Sequence, residues 1–200
     1  MLFNSYNFLL IFLPIFFFIN YISYKIFNKK SFLLVIIFSI IFYSFDNYNF
    51  TLLLFLSIIL NYLISKKIDE TKKIRIKKIY LFLIILFNFL LLFYFKYYNF
   101  FITNINNFKA EKLNLISLAL PLAISFFTFQ QISFQVDNYK KTLKKNFLTY
   151  FLYVSFFPQL IAGPIIRYGN FLKESLKKNF LKVYSKNLNI GLTIILIGLF

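Results

Sequence analysis

Histidine and cysteine are absent from this 200-residue chain, and glycine and proline occur only four times each. The absence of cysteine excludes a disulfide framework, a thiolate metal site and a thiol nucleophile. The absence of histidine removes the side chain that most often serves as a general base. Six acidic residues are scattered through the chain, and four glycines provide no phosphate-binding loop. The residues alone therefore predict neither a complete active site nor a metal site.

Apolar residues dominate what is present. They make up 60% of the chain, with 32 phenylalanines and 15 tyrosines. Five long runs lack Asp, Glu, Lys and Arg, at residues 1–24, 47–65, 79–95, 113–136 and 146–166. About 20 helical residues cross a bilayer core, and these runs do not alternate with the period of a strand. The sequence therefore predicts an all-α, polytopic transmembrane protein whose first partner is the lipid bilayer.

Helices are expected at about residues 5–25, 31–46, 48–65, 79–98 and 113–136, followed by a broken segment at 146–168. Asp46 and Asn47 are expected to form a tight turn. A last helix begins near Asn187, and residues 188–200 would reach only about 20 Å of the roughly 30 Å hydrocarbon core. We therefore expect residues 1–200 to be the N-terminal portion of one membrane domain, truncated within the last helix.

The basic residues define a topology. The net charge of +17 would suggest a nucleic-acid partner in a soluble protein, but here the lysines lie between apolar runs, which excludes that partner. The stretches after the first, third and fifth helices carry three, seven and four Lys or Arg. The positive-inside rule places these stretches in the cytoplasm and the N-terminus outside. We expect a multi-pass protein of the bacterial inner (cytoplasmic) membrane without a cleavable signal.

The segment SFFPQLIAGPIIRY interrupts the pattern. Pro158 disrupts a helix interior, and Gly163 followed by Pro164 favours a backbone that other residues avoid. Six Lys or Arg follow Ile166, and they remain on the cytoplasmic side only if the segment enters the membrane and returns. Residues 146–168 are therefore predicted to form a re-entrant hairpin rather than a clean span. Such a break survives only inside protein or beside a wet cavity.

Polar side chains recur in residues 120–139. Ser125, Thr128 and either Gln131 or Gln135 fall at helical spacing and share a face. One interpretation is interhelical hydrogen bonding within a bundle. The other is the wall of a polar tunnel.

Three further polar residues flank the break. Asp137 is expected to form a local ion pair with Lys140 or Lys141. Arg167 could hold a substrate phosphate or carboxylate, or it could extend to the interface or cap backbone carbonyls. Gln159 is expected to hydrogen-bond backbone groups freed by the break.

Four stretches carry a family resemblance: FNSYNFLLIFLPIFF, FKYYNFF, LPLAISFFTFQQISFQVDNY and FFPQLIAGPIIRY. In order and spacing they resemble the membrane-bound O-acyltransferase (MBOAT) family, in its bacterial alginate O-acetyltransferase-like branch. The resemblance spans the chain. Ala123 stands where the family has glycine, which is expected to tighten helix packing slightly, and Asn138 stands where it has valine.

The resemblance implies transfer of an acyl group, expected to be an acetyl group, from a cytoplasmic donor to a hydroxyl of a cell-envelope polysaccharide or peptidoglycan. The donor would be acetyl-CoA or an acyl carrier, no cofactor would be covalently bound, and a periplasmic or extracellular acyltransferase could be a partner. The family's catalytic histidine lies beyond Phe200, so residues 1–200 alone are expected to be inactive. This chain would form part of a helix ring, with tunnel or donor-side candidates at Ser125, Thr128, Gln131, Asp137, Pro158, Gln159, Gly163, Pro164 and Arg167.

Two alternatives stay open. A related protein of the same family would transfer D-alanine to teichoic acid. A transporter or scaffold would use the same helices without chemistry, since re-entrant segments also occur in transporters.

Overall fold

A computed structural model describes residues 3–27, 32–45, 47–108, 113–161, 163–177, 180 and 182–199. Within these ranges all regular structure is helical, which confirms the all-α class. Asp46, expected in a turn, lies outside the described residues.

Ten α-helices follow one another in the described residues: α1 Leu13–Phe27, α2 Phe32–Ser44, α3 Tyr48–Glu70, α4 Ile74–Leu92, α5 Tyr98–Asn106, α6 Ile124–Lys140, α7 Phe147–Ser155, α8 Phe157–Leu160, α9 Tyr168–Leu176 and α10 Ser185–Leu199. A π-helical stretch at Asn7–Phe12 leads into α1, and a second at Phe93–Tyr97 joins α4 to α5. Three continuous helical stretches are long and apolar enough to cross a membrane: Asn7–Ile26, Tyr48–Glu70 and Ile74–Asn106. The 13-residue α2 is apolar but shorter, as expected from the sequence.

The junction between α3 and α4 is shorter than the sequence suggested. Residues 66–78 were expected to form a loop, but α3 continues to Glu70 and α4 begins at Ile74. Lysine, arginine and glutamate are good helix formers, so charge ends the membrane-compatible part of a helix without ending the helix itself. The cations are thereby held on rigid helical ends.

The expected helix at 113–136 is wrong in its first half. Residues 113–121 are irregular, and α6 begins only at Ile124. Two asparagines of α5 hydrogen-bond the backbone of this irregular segment. Asn99 donates to the Ile116 carbonyl at 2.6 Å and accepts from the Ile116 N–H at 3.1 Å, and Asn106 makes the same pair of bonds to Leu113. These amides occupy backbone groups that a helix would have used.

The start of α6 has a specific cause. Ala123, which precedes the helix, has φ +55° and ψ +21°, in the left-handed region. Pro121 lies two residues earlier and cannot donate a backbone hydrogen bond. Glycine adopts this conformation freely, so Ala123 has a backbone cost that a glycine would not have. The expected effect of Ala123 on helix packing stays a prediction.

Phenylalanines form the core between α1, α2 and α8. The ring of Phe157 lies 5.3 Å from that of Phe12, 5.1 Å from Phe16 and 5.7 Å from Phe42, measured between centroids. The first two contacts are edge-to-face, the geometry that aromatic quadrupoles favour. Many other large apolar side chains are exposed, as expected where lipid covers them.

Candidate functional site

The broken segment is a short helix, a turn and an extended return. Helix α7 ends at Ser155, and Phe156 leaves helical geometry with ψ +101°. Pro158 occupies the second position of the four-residue helix α8, where a missing N–H costs little. Gly163 then adopts φ +130°, which L-residues rarely adopt. The backbone therefore changes direction at Phe156 and at Gly163, whereas Pro158, expected to disrupt a helix interior, is accommodated in the first turn of α8.

Hydrogen bonds from two tyrosine hydroxyls show that the chain returns along α7. Tyr153 on α7 donates to the Ile166 carbonyl at 2.8 Å. Tyr168 donates to the carbonyl of Lys144, which precedes α7, at 3.4 Å. The ring of Tyr168 also packs 5.4 Å from that of Tyr153. The fold-back predicted for residues 146–168 is therefore present, while its depth in a membrane stays a prediction.

The tip of this hairpin is anchored to α2. The Phe157 N–H, freed because the chain bends at Phe156, donates to Ser39 Oγ at 3.2 Å. Both residues are buried. Ser39 thus satisfies a backbone group that would otherwise be unpaired in an apolar core.

Helices α3 and α6 are joined by a polar ladder, which comprises Ser57, Asn61, Ser65 and Asp69 on α3 and Gln131, Gln135 and Asn138 on α6. Gln131 Nε2 donates to Ser57 Oγ at 3.1 Å, and Gln135 Nε2 donates to the Asn61 carbonyl at 2.7 Å. Asn88 of α4 joins at the centre, because its amide and that of Asn61 exchange hydrogen bonds of 3.0 and 3.3 Å. All five side chains are buried, so the ladder ties three helices together.

The ladder ends in a buried charge cluster. Lys145 forms an ion pair with Asp69, and its Nζ also donates to Asn138 Oδ1 at 2.8 Å and to the Ser65 carbonyl at 3.1 Å. The Lys145 side chain is only 5% exposed. Burial lowers the pKa of Lys145, and the hydrogen bond and charge of Asp69 oppose that shift. The ammonium is therefore fully partnered, as a buried charge must be.

The candidates on α6 have different surroundings. Thr128 is buried, and its hydroxyl donates to the Ile124 carbonyl of its own helix at 2.6 Å. Ser125 accepts a hydrogen bond from Lys96 Nζ at 3.0 Å in an exposed position. Gln131 bonds Ser57 as described, so interhelical hydrogen bonding holds for Gln131 and Gln135. A tunnel wall formed by these residues stays a prediction.

Asp137 and Arg167 are the two charged candidates near the break. Tyr153 donates a hydrogen bond to the Ile166 carbonyl, directly before Arg167. Within the described residues Asp137 makes no ion pair, so the expected pair with Lys140 or Lys141 is not formed. The Arg167 side chain is exposed, and its backbone carbonyl accepts from Phe171 N–H at the start of α9.

Gln159 departs from its expected role. Its Oε1 is buried and has no hydrogen-bond partner among the described residues, although it was expected to bond freed backbone groups. Pro158, Gly163 and Pro164 are exposed beside it. The hairpin thus carries one unsatisfied acceptor and one exposed cation, Arg167.

Sequence reasoning missed the α3 side of the ladder and Asn88 of α4. The available signal on α3 was the four-residue repeat of Ser57, Asn61, Ser65 and Asp69. Such spacing places the side chains on one face.

Comparison with known proteins bears on this architecture. The sequence model of MBOAT, the membrane-bound O-acyltransferase family, matches residues 144–200. A peptidoglycan O-acetyltransferase from Helicobacter pylori is 36% identical over 229 aligned positions, which cover 100% of this chain and 43% of that protein. A probable alginate O-acetylase, AlgI, from Pseudomonas aeruginosa is 32% identical over 181 positions, covering 87% of this chain and 34% of that protein.

The chain belongs to the membrane-bound O-acyltransferase family. It spans less than half the length of these curated relatives. No solved structure gives a significant match. The MBOAT-matched residues begin at Lys144 and contain the whole hairpin and α10.

Asn138, the second departure from the MBOAT pattern, has a structural role here. Its Nδ2 donates to Asp69 Oδ1 at 2.9 Å, and its Oδ1 accepts from the Leu143 N–H at 3.3 Å as well as from Lys145. Valine could make none of these bonds. The Asn138 amide, Asp69 and Lys145 therefore form one interdependent group.

Proposed function

We propose that this chain is the N-terminal portion of a membrane O-acetyltransferase that moves an acyl group from a cytoplasmic donor to a hydroxyl of a cell-envelope polysaccharide or peptidoglycan. The observation that carries the proposal is the 36% identity along the whole chain to a protein named peptidoglycan O-acetyltransferase. Relatives named probable alginate O-acetylase support the same reaction class on a different glycan. Acyl transfer to a hydroxyl requires a base, a positioned donor and exclusion of water.

The base is expected outside this chain. No histidine occurs in the 200 residues, and the resemblance assigns the general base to histidine. The chain's own contribution would be a rigid wall, made by the polar ladder and the hairpin, against which the remaining helices complete a tunnel. Purified residues 1–200 should therefore show no O-acetyl transfer. Measured transfer above the no-enzyme rate by this polypeptide would contradict that assignment.

Arg167 is the proposed donor-side residue. Its guanidinium is exposed, lies at the end of the hairpin and lacks a hydrogen bond to the described residues. A planar guanidinium can bind two phosphate oxygens at once, as the diphosphate of acetyl-CoA or the phosphopantetheine phosphate of an acyl carrier would require.

The test uses the full-length enzyme with acetyl-CoA and its glycan acceptor. Arg167→Ala should raise the KM for acetyl-CoA at least about tenfold, the value of one charge-assisted bond, while leaving the KM for the acceptor unchanged. Arg167→Lys should recover only part of this loss. Arg75→Ala removes the only other arginine of residues 1–200, which is also exposed, and serves as the matched control. An unchanged donor KM in Arg167→Ala would rule the role out.

The membrane orientation is part of the proposal. Twenty Lys and Arg fall in stretches assigned to the cytoplasm, against three outside. We propose an inner-membrane protein with its N-terminus outside. Residues 1–200 contain no cysteine. In a full-length protein whose remaining cysteines are replaced by serine, single reporters at Asn4→Cys and Lys72→Cys can be labelled with a membrane-impermeant maleimide in intact cells. Labelling of Asn4→Cys alone supports this orientation, and labelling of Lys72→Cys alone reverses it.

A further inference from the structure

A continuous groove runs between α1 and α10 and ends at a basic mouth. Its central cavity of about 340 Å³ is lined by Leu13, Phe16 and Phe17 of α1 and by Leu188, Leu192 and Ile195 of α10. A cavity of about 290 Å³ adjoins it and shares Lys182 and Val183 with it. We call the two together the α1–α10 groove.

The mouth concentrates positive charge. Tyr21, Tyr24 and Lys25 from the last turns of α1 line it together with Lys182. Lys182 Nζ lies 4.9 Å from the ring centroid of Tyr184 and 5.8 Å from that of Tyr24, which holds the ammonium beside the cavity. No acidic residue lines either cavity among the described residues.

Helix α10 adds to this charge. It begins at Ser185, two residues after Val183 of the mouth, and the first N–H groups of a helix have no partner within that helix. A helix N-terminus carries a partial positive charge and favours anions. Lysine ammoniums, tyrosine hydroxyls and a helix start together match a phosphate group.

The apolar walls are long enough for an acyl chain. From Lys25 at the mouth to Leu13, α1 rises about 18 Å at 1.5 Å per residue. A further apolar cavity of about 590 Å³ shares Leu13, Phe16 and Phe17 with the central one and continues toward Phe3, so the walls extend beyond half of the roughly 30 Å hydrocarbon core. A molecule with an anionic head and one acyl chain would therefore fill the mouth and the apolar walls together.

We propose that the α1–α10 groove binds an anionic membrane phospholipid, with its phosphate between Lys25 and Lys182 and an acyl chain along α1 and α10. The choice of an anionic lipid follows from the charge of the mouth, and the choice of a lipid follows from the apolar walls. The site lies apart from Arg167 and the polar ladder, and the proposal does not depend on acyl transfer.

The structure provides a way to block only the part of the groove that would hold the acyl chain. Gly191 lines the groove, and a Cβ added there would meet no atom within 4 Å. Gly191→Leu should therefore fill the groove without a clash. Gly169 in α9 has equal free space but lines neither cavity, so Gly169→Leu is the matched control.

The experiment measures lipid retention by the full-length protein in detergent, using native mass spectrometry with added phosphatidylglycerol or phosphatidylcholine. Phosphatidylglycerol should bind selectively, and inorganic phosphate should not displace it. Lys25→Gln with Lys182→Gln should weaken binding about 30-fold, since each lysine near an anionic headgroup contributes a factor of about five. The control variant, Lys72→Gln with Lys73→Gln, should not weaken binding.

Gly191→Leu should abolish retention, and Gly169→Leu should preserve it. Equal binding of both lipids would overturn the assignment of the charged mouth. Full retention in Gly191→Leu or in the double lysine variant would overturn the site. Failure of the full-length protein to retain any phosphatidylglycerol would also overturn it, because another part of the polypeptide would then occupy the groove.

Discussion

Lys145, at the start of the hairpin, forms a buried ion pair with Asp69 at the end of α3, 76 positions earlier in the chain. The pair fixes where the hairpin begins relative to the two helices that carry the polar ladder. Because the ammonium also bonds Asn138 and the Ser65 carbonyl, its three donors are used. Local order in the hairpin therefore depends on a contact formed by distant segments.

Removing either partner should destabilise the protein. Asp69→Asn leaves the Lys145 charge with less compensation. Because the Asp69 side chain is 22% exposed, we expect a loss of about 2 kcal/mol in the free energy of unfolding, less than for a fully buried pair. Lys145→Met should cost a similar amount, and the double variant should cost less than the sum. Urea-induced or thermal unfolding in detergent micelles measures each change in the free energy of unfolding.

The exposed pair Glu174 and Lys177 provides the control, since their side chains are 62% and 63% exposed. Glu174→Gln with Lys177→Met should change stability by no more than about 0.5 kcal/mol. Additive effects of the Asp69 and Lys145 variants would show that the buried pair is not coupled.

Ala123→Gly should stabilise the protein. The left-handed conformation of Ala123 costs an L-residue about 1 kcal/mol, and glycine adopts it freely. Ala119→Gly is the control, because Ala119 lies in the irregular segment without a positive φ. It should be neutral or slightly destabilising. A lower unfolding temperature for Ala123→Gly than for the unmodified protein would contradict the assigned conformation.

Much of this fold could be predicted from single stretches of sequence. Charge-free length located α1 to α4, and Pro158 with Gly163 located the hairpin, because both properties are local. The irregular residues 113–121 are as apolar as a helix, and their conformation is set by Asn99 and Asn106 of α5, which no local pattern indicates. Polar residues on α6 were recognised, but their partners on α3 required the helix pairing to be known.

Gly163→Ala should destabilise the hairpin through the backbone alone. A Cβ at Gly163 would meet no atom within 4 Å, so no steric contact is added, but φ +130° is unfavourable for alanine. We expect a loss of about 2 kcal/mol. Gly169→Ala, inside α9 and equally uncrowded, should gain up to about 1 kcal/mol from helix propensity. Thermal unfolding of the two variants in parallel tests the contrast, and equal shifts would remove the case for strain at the turn.

Tyr153→Phe should loosen the return arm. The change removes a 2.8 Å hydrogen bond to the Ile166 carbonyl and leaves the buried ring in place. We expect a loss of about 1 to 2 kcal/mol. Hydrogen exchange should also increase in residues 163–168.

Tyr150→Phe is the matched comparison for Tyr153→Phe. The Tyr150 ring is equally buried, but its hydroxyl lies 3.5 Å from Gln131 Oε1, a long contact. Removal of the Tyr150 hydroxyl should therefore lower the free energy of unfolding less than removal of the Tyr153 hydroxyl. The reverse order would mean that the Tyr153 hydroxyl does not secure the return arm.

The four-residue repeat of the polar ladder has a consequence for how α3 and α6 align. After a slip of one helical turn, each α6 amide would again face a polar α3 side chain: Asn61 opposite Gln131, Ser65 opposite Gln135 and Asp69 opposite Asn138. Repeating hydrogen bonds therefore discriminate poorly between the two alignments. Lys145, which follows α6, does not repeat, and it reaches Asp69 of α3 in only one alignment. This side chain selects one sliding position among near-equivalent ones, so it confers uniqueness as well as strength.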